Sequence, residues 1–158
     1  FGRFYLYDSM DVLNDKLGIE PLTKDFTFKW MKKNLHNRSR QMKSLLLDQS
    51  FLAGLGNIYT DEALWYSSIH PLSKSNTIPD YKIKRLVLSI KDVLSKSIKL
   101  GGTTIRDYTY DYSYVGNYAL NLNVYGRKDE KCNRCETTIT KHVIAQRGTY
   151  ICHKCQKQ

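Results

Sequence analysis

No stretch of about 18 apolar residues occurs in this chain of 158 residues, which excludes a membrane-spanning helix. The first fourteen residues, FGRFYLYDSMDVLN, have none of the basic, apolar and small-residue zones of a secretory signal. An intracellular location, cytoplasm or nucleus, is therefore expected, and no membrane partner. Internal repeats and low-complexity tracts are also missing, which leaves one ordinary domain or two small ones. Cysteine is missing from the first 131 residues, so any thiol chemistry is confined to the tail. Acidic residues are in deficit: 15 Asp and Glu face 25 Lys and Arg, a net charge of +10 and a pI near 9.4. That balance suits a polyanionic partner.

The basic excess is uneven. Residues 24–43 carry seven basic residues (Lys24, Lys29, Lys32, Lys33, Arg38, Arg40 and Lys43) and one acid, whereas 44–81 carry four acids and one lysine. Blocks of this kind are what a nucleic-acid footprint requires; a merely soluble basic surface is the alternative.

Apolar spacing predicts a mainly helical unit. Residues 8–18 read as a short helix capped by Asp8 or Ser9 and stopped by Gly18. A second helix follows within 21–35, with Thr23 or Asp25 as N-cap and Phe26, Trp30 and Met31 on one side. A third is expected from Ser39, burying Met42, Leu45, Leu46 and Leu52, and a fourth runs from near Asn57 to His70-Pro71. The clearest is 80–100, where Ile83, Val87, Ile90, Leu94 and Ile98 recur at steps of three and four before Gly101-Gly102. Tyrosines then alternate at 108, 110, 112 and 114, which fits either a strand face or a loop. From Asn121 onward the segments NLNVYG and KHVIAQRGTYIC are short and β-like.

Two places in this pattern invite chemistry. The first is FLAGLGNIYTDE, where Gly54 and Gly56 weaken the chain just before a helix; a plain turn and a ligand-binding turn are both compatible with it. The second is the tail, in which Cys132-x2-Cys135 and Cys152-x2-Cys155 are separated by sixteen residues. This is the spacing of a tetrahedral four-thiolate zinc site, and so small a tail needs its metal to fold. Two disulfides or free thiols are the alternative, and they fit a non-exported chain poorly. Between the pairs, HVIA and YIC form a predicted hairpin whose turn is Gln146-Arg147-Gly148-Thr149, which puts Arg147 at the tip. A guanidinium on a metal-braced turn is a good phosphate clamp, although an exposed arginine is commonly plain surface. Residues 123–158 hold eight basic residues against three acids.

Taken in order, LLLDQSFLAGLGNIYTDEALW, IHP, GGTTIRDY, NVYGRKDEKCNRC and AQRGTYICHKCQ resemble the C-terminal part of the formamidopyrimidine-DNA glycosylase and endonuclease VIII family. The resemblance implies a helix-two-turn-helix bundle followed by a small β-hairpin zinc finger holding Zn2+ on the four cysteines. It divides the chain into residues 1–8, the end of an N-terminal catalytic domain and its linker; 9–105, the helix-two-turn-helix domain; 106–120, a lesion-capping loop of the formamidopyrimidine type; and 121–158, the zinc finger. It also implies that the amides around Gly54 and Gly56 face DNA phosphates, that Asn57 contacts the DNA backbone near the lesion, that Arg147 grips the phosphates flanking an everted nucleotide, and that Lys43 faces DNA.

The function so implied is that of the DNA-binding half of a bifunctional DNA glycosylase and AP lyase. Such an enzyme removes oxidised purines such as 8-oxoguanine or formamidopyrimidine from double-stranded DNA, and a monomer is expected. The catalytic N-terminal proline and the glutamate after it have no counterpart at Phe1-Gly2. These residues alone are therefore expected to bind damaged DNA, or duplexes with abasic sites, without excising a base. A naturally short, non-catalytic zinc protein that binds damaged DNA or RNA is the other reading.

Overall fold

Threonine 27 sets the first long helix. In the computed structural model, which describes residues 5–9, 11–103 and 117–158, its hydroxyl accepts from the Trp30 amide at 3.2 Å and caps α2 (Phe28–His36). The cap expected at Thr23 or Asp25 is displaced because the Thr23 hydroxyl is spent on the Glu20 carbonyl, 2.8 Å away, inside a turn. Before it stands a single helical turn, α1 (Asp11–Asn14), whose Asp11 amide donates to the Ser9 hydroxyl as the sequence predicts.

The predicted third helix is much shorter than its apolar stripe. Only Met42–Leu46 forms α3, with Gln41 and not Ser39 at the N-cap. The Arg40 amide is drawn to the Ser75 hydroxyl and Gln41 bridges Lys74, so 40–41 stay extended; beyond Leu46 the Asp48 carboxylate accepts from the Ser50 amide and turns the chain. Met42, Leu45, Leu46 and Leu52 are nonetheless fully buried. α4 (Asn57–Tyr66) starts where expected but ends four residues before His70, because Ser68 takes a left-handed conformation (φ 57°) and the Ile69 amide closes back on the Leu64 carbonyl at 2.9 Å. A 3-10 turn at Ser75–Thr77 leads into α5 (Asp80–Lys99), which ends before Gly101-Gly102, both at positive φ.

α5 packs against both α4 and α2, and the core they share holds Phe26, Met31, Leu35, Leu55, Leu64, Leu86 and Ile90, all fully buried. A second, smaller core gathers Trp65, Val124, Cys132, Ile139 and Cys152 under the tail. No helix among the described residues is long and apolar enough to cross a membrane.

In the tail, β1 (Thr140–Ile144) pairs antiparallel with β2 (Arg147–Ile151), Ile144 opposite Arg147. The turn is therefore Ala145-Gln146, both at positive φ (52° and 58°), the tight two-residue connection whose twist matches the strands. Arg147 opens β2 and does not sit at the tip. NLNVYG is not a strand: Tyr118–Asn121 is a 3-10 turn, and the amides at 123–125 are claimed by a buried carboxylate described below. The tyrosine alternation and most of the expected capping loop fall on 104–116, outside the described residues.

Candidate nucleic-acid interface

One face of α4 docks on the tail. Asn57, Asp61 and Trp65 recur every four residues, hence on one face, and each meets the tail. Asn57 Nδ2 donates to the Gly148 carbonyl at 3.1 Å. Asp61 Oδ2 accepts from the Tyr150 amide at 3.0 Å. Trp65 Nε1 donates to Cys132 Sγ at 3.4 Å, with the Arg134 guanidinium 3.9 Å above its ring. Beside them the Glu62 carboxylate, fully buried, accepts from the amides of Asn123, Val124 and Tyr125 at 2.8–3.0 Å, which anchors the start of the tail.

Lys43 departs from the expectation of a DNA-facing residue. Its side chain is wholly inaccessible; Nζ lies 2.6 Å from Asp61 Oδ1 and 3.2 Å from the Gly148 carbonyl. Burial pulls the Lys43 ammonium below its ordinary value and raises the Asp61 carboxyl to about 6, while the contact between them works against both shifts. An ammonium so enclosed ties α3, α4 and β2 together and offers nothing to a solvent-side ligand.

The two glycines play different parts. Gly54 has φ +80°, a left-handed conformation that glycine adopts without strain, and its amide donates to Gln49 Oε1 at 2.8 Å. Gly56 has φ −93° and ψ 178°, and a Cβ there would meet nothing within 4 Å, so the fold itself does not call for glycine. It is the N-cap of α4 without any side-chain cap, and the first-turn amides of a helix have no partner inside it. Free amides and an aligned helix dipole make such an end attractive to anions.

That end opens on a groove of about 610 Å3 lined by Gly56, Asn57, Leu47, Arg40 and, from across the hairpin, Ala145 and Arg147. Arg147 is exposed, and no carboxylate pairs with it among the described residues. Arg40, which the sequence left among the general basic residues, is held at the rim by Asp48 at 2.6 Å. Asn57 Oδ1 is buried without a hydrogen-bond partner. The groove thus gathers Gly56, Asn57 and Arg147, joined to Gly54 two residues upstream; Lys43 stands behind it.

The four cysteines come together as their spacing predicts. Their Sγ atoms all lie within 4.8 Å of one another, with contacts of 3.3, 3.5 and 3.9 Å, and none is in a disulfide. Thiolates about 2.3 Å from a tetrahedral zinc stand roughly 3.8 Å apart, so the cluster fits that ion. The Cys152 amide donates to Gln156 Oε1, whose Nε2 reaches the Ile69 carbonyl at 3.1 Å, tying the second knuckle to the loop after α4.

Comparison with known proteins agrees with this architecture. Residues 17–109 match the model of the formamidopyrimidine-DNA glycosylase H2TH domain, and 129–158 that of the zinc finger found in FPG and IleRS. The chain is 46% identical over 158 residues to a formamidopyrimidine-DNA glycosylase of Herpetosiphon aurantiacus, covering 99% of this chain and 58% of the relative. With the enzyme of the same name from Bacillus subtilis it shares 41% identity over 160 residues, again 99% and 58%. These relatives are bacterial, which lends a nuclear location no support. Among solved structures, a Lactococcus lactis Fpg in complex with DNA containing an abasic site superposes with a TM-score of 0.86 at 41% identity, covering 94% of this chain and 54% of that one. The Fpg protein of Thermus thermophilus gives 0.85 at 35% identity, covering 90% and 55%. The chain spans about 58% of the length of the curated relatives it matches. With the helical unit, the zinc-type cluster and these matches in agreement, the chain belongs to the formamidopyrimidine-DNA glycosylase family, of which it carries the H2TH domain and the zinc finger.

Proposed function

We propose that this chain grips double-stranded DNA containing an oxidised base or an abasic site, and that it serves as the DNA-binding part of a bifunctional DNA glycosylase and AP lyase acting on oxidised purines. The observation that carries the reading is the groove in which the uncapped N-terminus of α4 and the unpaired Arg147 face the same space. Backbone amides at Gly56 and Asn57 take one phosphate, Arg147 the neighbouring one, and the open space at Gly56 lets the DNA backbone approach. Solved relatives that contain abasic-site DNA or Fapy-dG containing DNA support this choice over the RNA-binding alternative. Both walls come from one chain, so a monomer suffices.

These 158 residues bind and do not excise. The resemblance places base release on a proline and a glutamate in the part of the family that this chain does not span, since chemistry on a stacked base needs a pocket to receive the flipped nucleotide. Trapping with borohydride on abasic DNA should accordingly give no covalent adduct at Phe1; an adduct there overturns this assignment.

Arg147→Ala tests the grip. It should weaken binding to a duplex with an abasic-site analogue by about 1.5–3 kcal/mol, the scale of a charge-assisted contact. The slope of log K against log salt should flatten by about one phosphate. Lys74→Ala, exposed and outside the groove, is the control. Equal small losses by fluorescence anisotropy would mean that Arg147 is ordinary surface.

A further inference from the structure

A second cluster of metal-ligating side chains stands on the outside of the hairpin. Thr140 and His142 lie on the same face of β1, two residues apart, and Thr140 is paired with Ile151, two residues before His153. This register brings three polar atoms into a triangle. Thr140 Oγ1 is 2.8 Å from His142 Nε2 and 2.9 Å from His153 Nε2, and the two Nε2 atoms are 3.3 Å apart. The imidazole planes are nearly perpendicular, at 87°, with centroids 5.3 Å apart. Both rings are exposed and line an open groove of about 800 Å3, together with His70, Gln41 and Gln156. The His70 ring is tilted 31° to that of His153 with centroids 5.9 Å apart, and its Nδ1 accepts from the Leu72 amide.

Two nitrogens each about 2.0–2.1 Å from one tetrahedral ion stand about 3.3–3.4 Å apart. The separation of His142 Nε2 and His153 Nε2 matches that bite. The matching atoms come from the two sides of the hairpin, β1 and the stretch just after β2, eleven residues apart, so their spacing is set by the strand register. The four thiolates do not take part: they are grouped among themselves.

We infer that His142 and His153 form a second metal site, distinct from the four-cysteine cluster, for a divalent transition ion of the zinc or nickel type. Imidazole is the ligand such ions favour among nitrogen donors. Thr140 Oγ1 lies beside the ion, and water from the open groove fills the remaining positions. A metal held there staples β1 to the residues that follow β2, so it stabilises the hairpin by an amount that grows with the logarithm of free metal above its dissociation constant.

The test is a titration of the zinc-loaded chain, without any histidine tag, with Ni2+ up to tens of micromolar. Calorimetry should show one Ni2+ bound per chain, without the near-ultraviolet thiolate-to-nickel absorption that would mark displacement of zinc. His142→Ala, a substitution at an exposed strand position next to none of the cysteines, should weaken this binding at least about tenfold. His153→Ala should do the same, and His36→Ala, on the exposed end of α2, should change nothing. Zinc content measured on each variant shows whether the four-cysteine cluster is intact. Should His153→Ala lose zinc, His142→Ala alone decides. No nickel uptake, uptake accompanied by thiolate absorption, or uptake unchanged in His142→Ala would each overturn the proposal.

Discussion

Glycines in this chain act through unlike physics at Gly18 and Gly56. A Cβ at Gly18 would lie 2.3 Å from the Phe51 carbonyl carbon and oxygen, where the Gly18 amide also donates to Gln49. Gly18→Ala must therefore push two backbone segments apart, and we expect a loss of about 1–3 kcal/mol in urea unfolding. Gly56→Ala meets nothing and keeps an allowed φ, so it should cost no more than the roughly 0.5–1 kcal/mol of a poorer N-cap residue, while duplex binding falls. If binding stayed unchanged, the groove at α4 would not be where DNA approaches. Asp48 is a third residue whose role is electrostatic. Its carboxyl is held at about 2, against an ordinary 3.8, first by the Ser50 hydroxyl and then by Arg40. A carboxyl depressed in the native state stabilises it fully above about pH 4, and the benefit is lost as pH falls through 2. Solvent screens the pair, so about 1 kcal/mol is the expected size. Asp48→Asn should lose that amount near neutral pH and converge with the parent near pH 2, as read from urea midpoints at both ends.

Among the elements, α4 is the axle, because Asn57, Asp61 and Glu62 each tie the helices to tail backbone. The buried Lys43–Asp61 pair sits at its centre. Removing one partner leaves a buried charge alone, so Asp61→Asn or Lys43→Met should each cost about 3–5 kcal/mol. The double variant should recover much of that, since no unpaired charge remains; equal and additive losses by chemical denaturation would mean the two residues do not act as a pair. The tail buries few apolar side chains of its own beyond the cysteines, Val124, Ile139, Ile144 and Ile151, and part of its small core is Trp65 from α4. We therefore expect Cys152→Ser, or removal of zinc by a chelator, to unfold the hairpin while most helical circular dichroism persists. Elemental analysis should return about one zinc per chain from the protein in the absence of added metal. A fully formed tail in metal-free protein would contradict this.

Across the whole molecule, the two cores have different origins. The helical unit buries apolar side chains along α2, α4 and α5, whereas the tail is held by a cysteine cluster and by buried acids reaching across from α4. The proposed DNA groove lies on the line between these units, so its geometry depends on both being folded. Losing zinc should therefore abolish the contribution of Arg147 to DNA binding even where the helices survive. Comparing Arg147→Ala with the parent in chelated and zinc-loaded states by anisotropy checks this: the difference between them should vanish without metal.

The amino-acid sequence by itself determined the elements whose information is local. The three- and four-residue apolar period specified α5, the start of α4 was legible at Asn57, and the Cys-x2-Cys pairs specified the thiolate cluster, since ligand spacing is a property of a short stretch. Tertiary structure decided what depends on partners far along the chain. Ser75 and Lys74 shortened α3, and Glu62 took the amides that NLNVYG would have used in a strand. The two-residue turn at Ala145-Gln146 moved Arg147 off the tip and into the register of β2. Lys43 shows the difference most plainly. Its type and position read as a surface cation in a basic block, and only the arrival of Asp61 and Gly148, 18 and 105 residues away, enclosed its charge. A charge's burial is set by what folds over it, and no local pattern records that.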